Sequence, residues 1–357
     1  MYSKAKEFSC PQGEHVDTLA LAVANLTSIP VLVFVAAVIV SRFSQGLKLP
    51  DAIYQAIAVF LLLGIGIKGG HSIKSAEGTE LLWPALAALA LGILIPFIGY
   101  GLLRLTRHFS RVDSGSLAAH YGSTSLVTFA AGLVMLESLS IFVEPFTVTL
   151  LAIMEIPGIV VGVYLGTRRM RARLPVDARG VDVSADEPVS KSRRRETFTE
   201  ILLGKTVFLL LLGLVVGFVA PEASFLKVEP FFVALQPGIL VLFLLQLGLM
   251  VGARLGDLRS GGWWLPAFAL VMPILAGTLG AFTGVAAGMS VGGATMLAIL
   301  SASASYIAAP AAVSLAMPKA NLGLALAASL GITFPFNLLL GLPIYVALAE
   351  VFAGALG

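Results

Sequence analysis

Charged side chains are scarce in this chain. Asp, Glu, Lys and Arg make up 12% of the 357 residues, against about 25% in a soluble domain. So few charges cannot cover a folded domain with a water-facing surface, which excludes an ordinary soluble protein. Hydrophobic residues make up 58% of the sequence, and several apolar stretches approach the roughly 20 residues that cross a bilayer as a helix. The sequence therefore predicts an all-α integral membrane protein.

Cysteine and histidine are also rare, and their scarcity narrows the function. The single cysteine, Cys10, cannot form an intrachain disulfide, and the four histidines are scattered. We therefore expect no structural metal, no haem and no other cofactor. No HExxH or GxSxG motif occurs in a plausible context, so an enzyme is not expected. The pI of about 9.0 reflects the placement of Lys and Arg around a membrane rather than nucleic-acid binding.

Apolar runs and one polar interruption divide the chain. The predicted domains are an extracytoplasmic N-terminal segment (1–26), a first five-helix repeat (27–167), a linker (168–200) and a second, inverted five-helix repeat (201–352). Ten membrane spans are predicted, at residues 27–43, 51–70, 82–104, 114–137, 145–167, 201–220, 230–252, 263–287, 291–316 and 321–349. If the linker is cytoplasmic, 18 of the 23 Lys and Arg residues lie inside, which predicts a plasma (inner) membrane protein with both termini outside.

An internal repeat relates the two halves. The stretch "YGSTSLVTFAAG" (121–132) aligns with "SASASYIAAPAA" (301–312), and "MEIPGIVVGVYL" (154–165) aligns with "ITFPFNLLLGLP" (332–343). Because each half contains an odd number of spans, the second half runs through the membrane in the opposite direction. Inverted repeats are typical of secondary transporters, whose substrates bind where broken helices meet near the midplane.

Small and hydroxylated residues interrupt one apolar run in each half. Ser and Thr are good helix N-caps, and a helix N-terminus has free N–H groups and about half a positive charge. Two such N-termini that converge form an anion site without Lys or Arg. Close helix packing is the alternative use of such residues. The predicted substrate-binding residues are Gly122, Ser123, Thr124, Ser125, Thr128, Ser303, Ala304, Ser305 and Tyr306.

One carboxylate lies in the middle of a predicted span. Glu155 precedes Pro157, which frees a backbone carbonyl, and an intramembrane carboxylate predicts a cation ligand or a proton carrier. A buried, protonated structural carboxyl is the alternative. Hydroxyl and carbonyl oxygens are hard ligands suited to Na⁺. The predicted cation-binding residues are Glu155, Ser301, Thr333 and Asn337, with Na⁺ as the coupling ion and no other metal.

Several stretches together resemble the sodium-dependent bicarbonate transporters of cyanobacteria and related bacterial permeases. They are "LPDAIYQAIAVFLLLGIGIKGGHSI", "YGSTSLVTFAAG", "EIPGIVVG", "ASASYIAAPAA" and "MPKANLGLALAASLGIT". The resemblance implies ten transmembrane helices as two inverted repeats with two crossed broken helices, Na⁺-coupled bicarbonate import by an elevator-like movement, a homotrimer, and a PII-like regulatory protein on the cytoplasmic side. The chain departs from the cyanobacterial pattern at Tyr306 and Glu155, which both stand where that pattern has Asp.

Three functions are compatible with the sequence. The first is Na⁺-coupled bicarbonate import. The second is symport of another small anion, such as a carboxylate, coupled to Na⁺ or H⁺, with Glu155 as the proton carrier. The third, of a different class, is a membrane sensor or scaffold that binds the anion and signals through the linker without transport.

Overall fold

The computed structural model describes residues 18–41, 43, 49–74, 81–168, 205–254 and 262–356. All regular structure in these ranges is helical, as the composition predicts. Residues 1–17 of the predicted N-terminal segment, all of the predicted linker except residue 168, and residues 201–204 lie outside the described ranges.

Fourteen helices follow one another in the described ranges. They are α1 (Thr18–Leu26), α2 (Ile29–Val40), α3 (Asp51–Ile73), α4 (Leu82–Thr106), α5 (Arg111–Gly122), α6 (Leu126–Ser138), α7 (Thr147–Thr167), α8 (Lys205–Val219), α9 (Glu222–Glu229), α10 (Gln236–Arg254), α11 (Trp264–Ala286), α12 (Val291–Ala302), α13 (Ala308–Ala316) and α14 (Leu322–Leu356). A π-helical segment, Pro230–Ala234, joins α9 to α10, and α14 contains two more, Ser329–Thr333 and Asn337–Gly341.

Seven helical stretches are long and apolar enough to cross a membrane, counting α5 with α6 and α9 with α10 as single stretches. Three shorter apolar helices, Ile29–Val40, Phe208–Val219 and Val291–Ala302, accompany them. Large apolar side chains are exposed on several of these helices, among them Phe97 on α4 and Val219 on α8. Exposed apolar side chains of this number are unfavourable in water and are normal for a surface in contact with lipid.

Glycine contacts bring several helices into close approach. α3 packs on α8 with Gly66 against Gly213, and α2 packs on α10 with Gly248 against the backbone of Phe34. In the interior, α5 packs on α7. A Cβ on Gly158 of α7 would collide with the carbonyl group of Gly122, so only glycine permits this distance between the two backbones.

The interrupted helices occupy the centre of the molecule. The stretch Arg111–Ser138 is the most buried of the seven membrane-length stretches. In its apolar 18-residue window 89% of the residues are buried, whereas the buried share in the corresponding windows of the other six is 39–56%. The helices α5 and α12 are both 12 residues long, and a serine side chain caps the N-terminus of each: Ser110 accepts from the Asp113 N–H and Ser290 from the Gly293 N–H. α5 packs between α4 and α7, while α12 packs between α11 and α14.

Candidate functional site

Both predicted interruptions are present as extended segments between helices. α5 ends at Gly122, and the backbone is extended at Ser123 (φ −100°, ψ 150°) and Ser125 (φ −110°, ψ 112°) before α6 begins. α12 ends at Ala302, and Ser303 is likewise extended (φ −78°, ψ 162°). The chain then reaches α13 at Ala308. Extended backbone inside a membrane protein leaves N–H and C=O groups that require partners or a ligand.

Two backbone N–H groups join the two breaks directly. The Ser125 N–H donates to the Ser303 hydroxyl at 2.9 Å, and the Ser305 N–H donates to the His120 carbonyl at 2.7 Å. The Ser303 hydroxyl in turn donates to the Leu300 carbonyl at 2.7 Å. The interrupted helices therefore meet at their breaks: Ser303 in the second break accepts from the first break, and His120 in the last turn of α5 accepts from the second.

Serine hydroxyls accept from the first turns of the helices that leave the breaks, Ser125 as the N-cap of α6 and Ser305 from two residues before the N-cap of α13. The Ser125 hydroxyl oxygen accepts from the Thr128 N–H at 3.3 Å and from the Thr128 hydroxyl at 3.1 Å. The Ser305 hydroxyl oxygen accepts from the Ala309 N–H at 3.2 Å. These hydrogen bonds satisfy part of the first turns of α6 and α13, whose other N–H groups have no intrahelical acceptor.

A small cavity lies at the crossing of the two breaks. Leu126, Ile307 and Ala308 line it, so the first turn of α6 and the start of α13 both border the space. Glu155 is the one ionisable acid in the lining, which contains no Lys, Arg or His. The complete lining is Thr124, Ser125, Leu126, Leu151, Glu155, Ser305, Tyr306, Ile307 and Ala308. Because the lining has no basic side chain, the N-termini of α6 and α13 are the groups there that carry a partial positive charge.

Hydroxyl groups supply further polar atoms around the cavity. The Ser125 hydroxyl donates to the Tyr306 hydroxyl at 3.4 Å, which links the first break to the second. The Thr124 hydroxyl donates to the Leu151 carbonyl of α7 at 3.3 Å. The Tyr306 ring packs edge-on against Phe334, with 5.6 Å between ring centroids. In this arrangement the Tyr306 hydroxyl accepts from Ser125 and is the hydroxyl of the three that keeps its hydrogen for an anion.

Glu155 reaches the cavity from α7. Its side chain is 2% exposed, and its Oε2 has no hydrogen-bond partner in the part of the chain that the structure describes. Pro157 lacks an N–H, so the Ile153 carbonyl loses its intrahelical donor one turn before the proline. An unpartnered buried carboxylate is unfavourable unless a cation or a proton binds to it.

The structure brings some predicted site residues together and separates others. Thr124, Ser125, Ser305, Tyr306 and Glu155 line one cavity. The remaining predicted anion-site residues are buried around the crossing without lining the cavity: Gly122, Ser123, Thr128, Ser303 and Ala304.

Three predicted cation ligands lie outside this cavity. The Ser301 hydroxyl is buried and has no partner in the described residues. The Thr333 hydroxyl donates to the Ala269 carbonyl at 2.7 Å, and the Asn337 amide donates to the Ala302 carbonyl at 2.9 Å.

Several residues of the site are not among the predicted ones. Leu126, Ile307 and Ala308 border the cavity through the first turns of the helices, and Leu151 borders it from α7. The capping rule could identify Leu126, because it directly follows the Ser125 cap. Leu151 has no local signal, since only the packing of α7 on the first break brings it there.

One family model matches nearly the whole chain. It describes the Na⁺-dependent bicarbonate transporter superfamily and matches residues 30–350. The matched range includes both breaks, Glu155 and every residue that lines the cavity. The predicted resemblance is therefore confirmed.

Proposed function

Because the chain belongs to the Na⁺-dependent bicarbonate transporter superfamily, we propose that it imports bicarbonate together with Na⁺ as a secondary active transporter. Family membership and the apolar helices make it a multi-pass membrane transporter rather than an enzyme. The observation that carries the proposal is the cavity at the crossed breaks, which two helix N-termini and several hydroxyl groups border.

The proposed anion site suits a small oxyanion. Bicarbonate has one negative charge and three oxygen atoms that accept hydrogen bonds. The N–H groups in the first turns of α6 and α13 would donate to it, together with the Tyr306 hydroxyl. The Thr124 and Ser125 hydroxyls, which donate to Leu151 and Tyr306 in the structure, would donate to the anion after rotating towards it. Each helix N-terminus carries about half a positive charge, so the two together offset roughly one anionic charge without a buried Lys or Arg.

Glu155 provides the basis for coupling. An anion and an ionised Glu155 in one cavity repel each other strongly, because the interior has a low effective dielectric constant. A Na⁺ ion bound to Glu155 and nearby carbonyls would remove this repulsion, so each ion would favour binding of the other. We include Ser301, Thr333 and Asn337 as further candidate cation ligands because of their hydroxyl and amide oxygens.

Transport of labelled bicarbonate into proteoliposomes tests this function. The purified protein is reconstituted, and uptake is compared with an inward Na⁺ gradient, with choline replacing Na⁺, and with an inward H⁺ gradient. An inward H⁺ gradient converts external HCO₃⁻ to CO₂, which crosses lipid unaided, so uptake into protein-free liposomes is subtracted in every arm. We expect the remaining uptake only with Na⁺. Uptake that follows the H⁺ gradient would instead support the second function, symport of a small anion with Glu155 as proton carrier, which its unpartnered buried oxygen also favours. Anion binding without flux under any gradient would support the sensor or scaffold.

The helix contacts support two inverted repeats. Asp113 near the start of α5 accepts from the Asn321 N–H at 2.8 Å, and Glu144 accepts from the Ser290 N–H at 2.5 Å, just before α12. Each interrupted helix thus begins beside the loop that follows the other one. We propose that the ten spans form two five-helix repeats of opposite direction, as the sequence offsets suggest.

We propose an elevator-like movement because the helices fall into two groups according to the helices on which they pack. α2 packs with α10 and α3 with α8, while α4, α5 and α7 pack together and α11, α12 and α14 pack together. The first group would remain fixed while the second, which carries the cavity, moves across the bilayer. The charge distribution supports a location in the inner membrane with both termini outside. On the basis of the family resemblance we also propose a homotrimer and a PII-like partner at the cytoplasmic side.

A further inference from the structure

The α14 helix contacts both interrupted helices where its own backbone is irregular. Thr333 ends the first π-helical segment and Asn337 begins the second, so the two side chains are one helical turn apart and share a face. Both are fully buried. π-helical segments inside α-helices are rare and occur frequently at functional sites.

Thr333 connects α14 to α11 and to the end of α5. Its hydroxyl donates to the Ala269 carbonyl at 2.7 Å, which is the carbonyl that Pro273 deprives of an intrahelical donor. The Tyr121 hydroxyl lies 2.6 Å from the Thr333 hydroxyl. Because the Thr333 hydrogen points to Ala269, Tyr121 is the donor of this bond. Tyr121 directly precedes Gly122, the last residue of α5.

Asn337 connects α14 to the end of α12. Its amide nitrogen donates to the carbonyl of Ala302, the last residue of α12, at 2.9 Å. Its amide oxygen accepts from the Tyr345 hydroxyl at 2.7 Å. Tyr345 therefore fixes which end of the amide faces Ala302. A free carbonyl at the end of a buried helix would otherwise have no partner.

We propose that Tyr121–Thr333 and Tyr345–Asn337 are positioning pairs that hold the ends of α5 and α12 at the spacing the anion site requires. At this spacing the Ser125 N–H reaches Ser303 and the Ser305 N–H reaches His120. The inference rests on the proposed function of the crossed breaks. It assigns a role to two tyrosines that line no part of the cavity.

Two tyrosine variants test this role without removing any proposed ligand. Tyr121→Phe and Tyr345→Phe each delete one buried donor, and Tyr121→Phe keeps the edge-on ring contact with Phe268. Tyr100→Phe is the matched control, because the Tyr100 hydroxyl is buried and has no partner in the described residues. We expect each test variant to raise the KM for bicarbonate roughly fivefold to tenfold, with the maximal rate within about twofold. The control should keep the wild-type KM.

The thermal midpoint in detergent is measured for the same variants. A purely structural role would lower the midpoint and the amount of active protein but leave the KM unchanged, and that result would overturn the proposal. A KM for Tyr121→Phe equal to that of Tyr100→Phe would overturn it as well.

Thr333 and Asn337 are candidate cation ligands as well as positioning partners. Variants of the two tyrosines distinguish these roles, because the tyrosines are not candidate cation ligands. If Thr333 acts as positioning partner of Tyr121, Thr333→Val and Tyr121→Phe change the KM alike, and the double variant is no worse than either alone. If Thr333→Val alters only the Na⁺ dependence while Tyr121→Phe has no effect, the positioning role is wrong for this pair. Asn337→Asp, which keeps the acceptor for Tyr345 but loses the donor to Ala302, tests the second pair in the same way.

Hydrogen–deuterium exchange tests the positioning independently of transport. Without substrate, Tyr121→Phe and Tyr345→Phe should increase exchange at the Ser125 and Ser305 amides, because these amides lose their held acceptors. Unchanged exchange relative to Tyr100→Phe would overturn the proposal. If the wild-type protein moves no bicarbonate, the proposed function fails, yet this measurement still decides whether the pairs hold the breaks together.

Discussion

Ser125 acts through both its side chain and its backbone. Its hydroxyl caps α6 through the Thr128 N–H and donates to Tyr306, while its own N–H donates to Ser303. Alanine would keep the backbone bond and lose the cap and the link to Tyr306. A lost cap alone costs about 1 kcal/mol.

We predict that Ser125→Ala raises the KM for bicarbonate roughly tenfold, because the hydroxyl that faces the anion and the order of the first α6 turn are both lost. Uptake over a range of bicarbonate concentrations measures the effect. Ser138→Ala is the control at the other end of α6, where the hydroxyl donates only to the Met135 carbonyl. An unchanged KM for Ser125→Ala would contradict the proposed anion site.

Glu155 is the residue on which coupling depends in the proposed mechanism. Glutamine has the same shape but no charge, so a Na⁺ ion loses its charged ligand. We predict that Glu155→Gln lowers the Na⁺ affinity at least roughly tenfold, measured as the Na⁺ dependence of uptake. Glu222→Gln, on α9, serves as the control, because this exposed carboxylate pairs with His71 and lies outside the lining of the cavity. Wild-type Na⁺ activation in Glu155→Gln would remove this carboxylate from the cation site.

At the scale of the helices, close approach of α5 and α7 brings Glu155 to the break. Gly158 permits this contact. A Cβ at this position would collide with the Gly122 carbonyl and would lie 2.8 Å from the Cα of Gly122. We predict that Gly158→Ala pushes α7 away and costs about 1–3 kcal/mol as an overpacked interior. Both the bicarbonate uptake and the thermal midpoint of the Gly158→Ala variant should be lower than those of the wild type. Gly101→Ala, where the added methyl meets no atom within 4 Å, should behave as wild type.

The two breaks could be predicted from the sequence because their signals are local. Runs of Ser and Thr before a fresh apolar stretch mark helix caps, and Ser125 is the N-cap of α6. At α13 the N-cap is Ile307, and the Ser305 hydroxyl, two residues earlier, accepts from the Ala309 N–H. The last nine residues of the predicted N-terminal segment form α1, and the structure adds its contact with α14, where the Asn25 amide donates to the Leu338 carbonyl at 2.7 Å.

The π-helical segments of α14 could not be predicted in the same way. Phe334, Pro335 and Phe336 between them have no composition that distinguishes a π-helix from an ordinary membrane helix. The segments depend on partners from other helices, such as Ala302 and Tyr121, that come together only in the folded protein. For the same reason, Leu151 and the two positioning tyrosines have no signal in the sequence.

At the scale of the whole molecule, each of the two loops that follow the interrupted helices contacts the start of the other interrupted helix. The loop 139–146 follows α6 and contacts the start of α12 through Glu144 and Ser290. Residue 321, before α14, contacts the start of α5 through Asp113. In the proposed topology α5 and α6 cross the membrane together as one stretch, so the two ends of this stretch lie on opposite membrane faces. The proposed orientation places loop 139–146 outside and loop 317–321 in the cytoplasm.

Cysteine labelling tests this orientation, because the chain has only one native cysteine to remove. In a Cys10→Ser background, Phe142→Cys and Pro318→Cys place single thiols at exposed positions of the two loops. We predict that a membrane-impermeant maleimide added to intact cells labels Phe142→Cys and not Pro318→Cys, and that inside-out vesicles give the reverse. Bicarbonate uptake by both variants shows that they are folded. Labelling of both thiols from the same side would contradict the inverted repeat, because its symmetry places equivalent loops on opposite faces of the membrane.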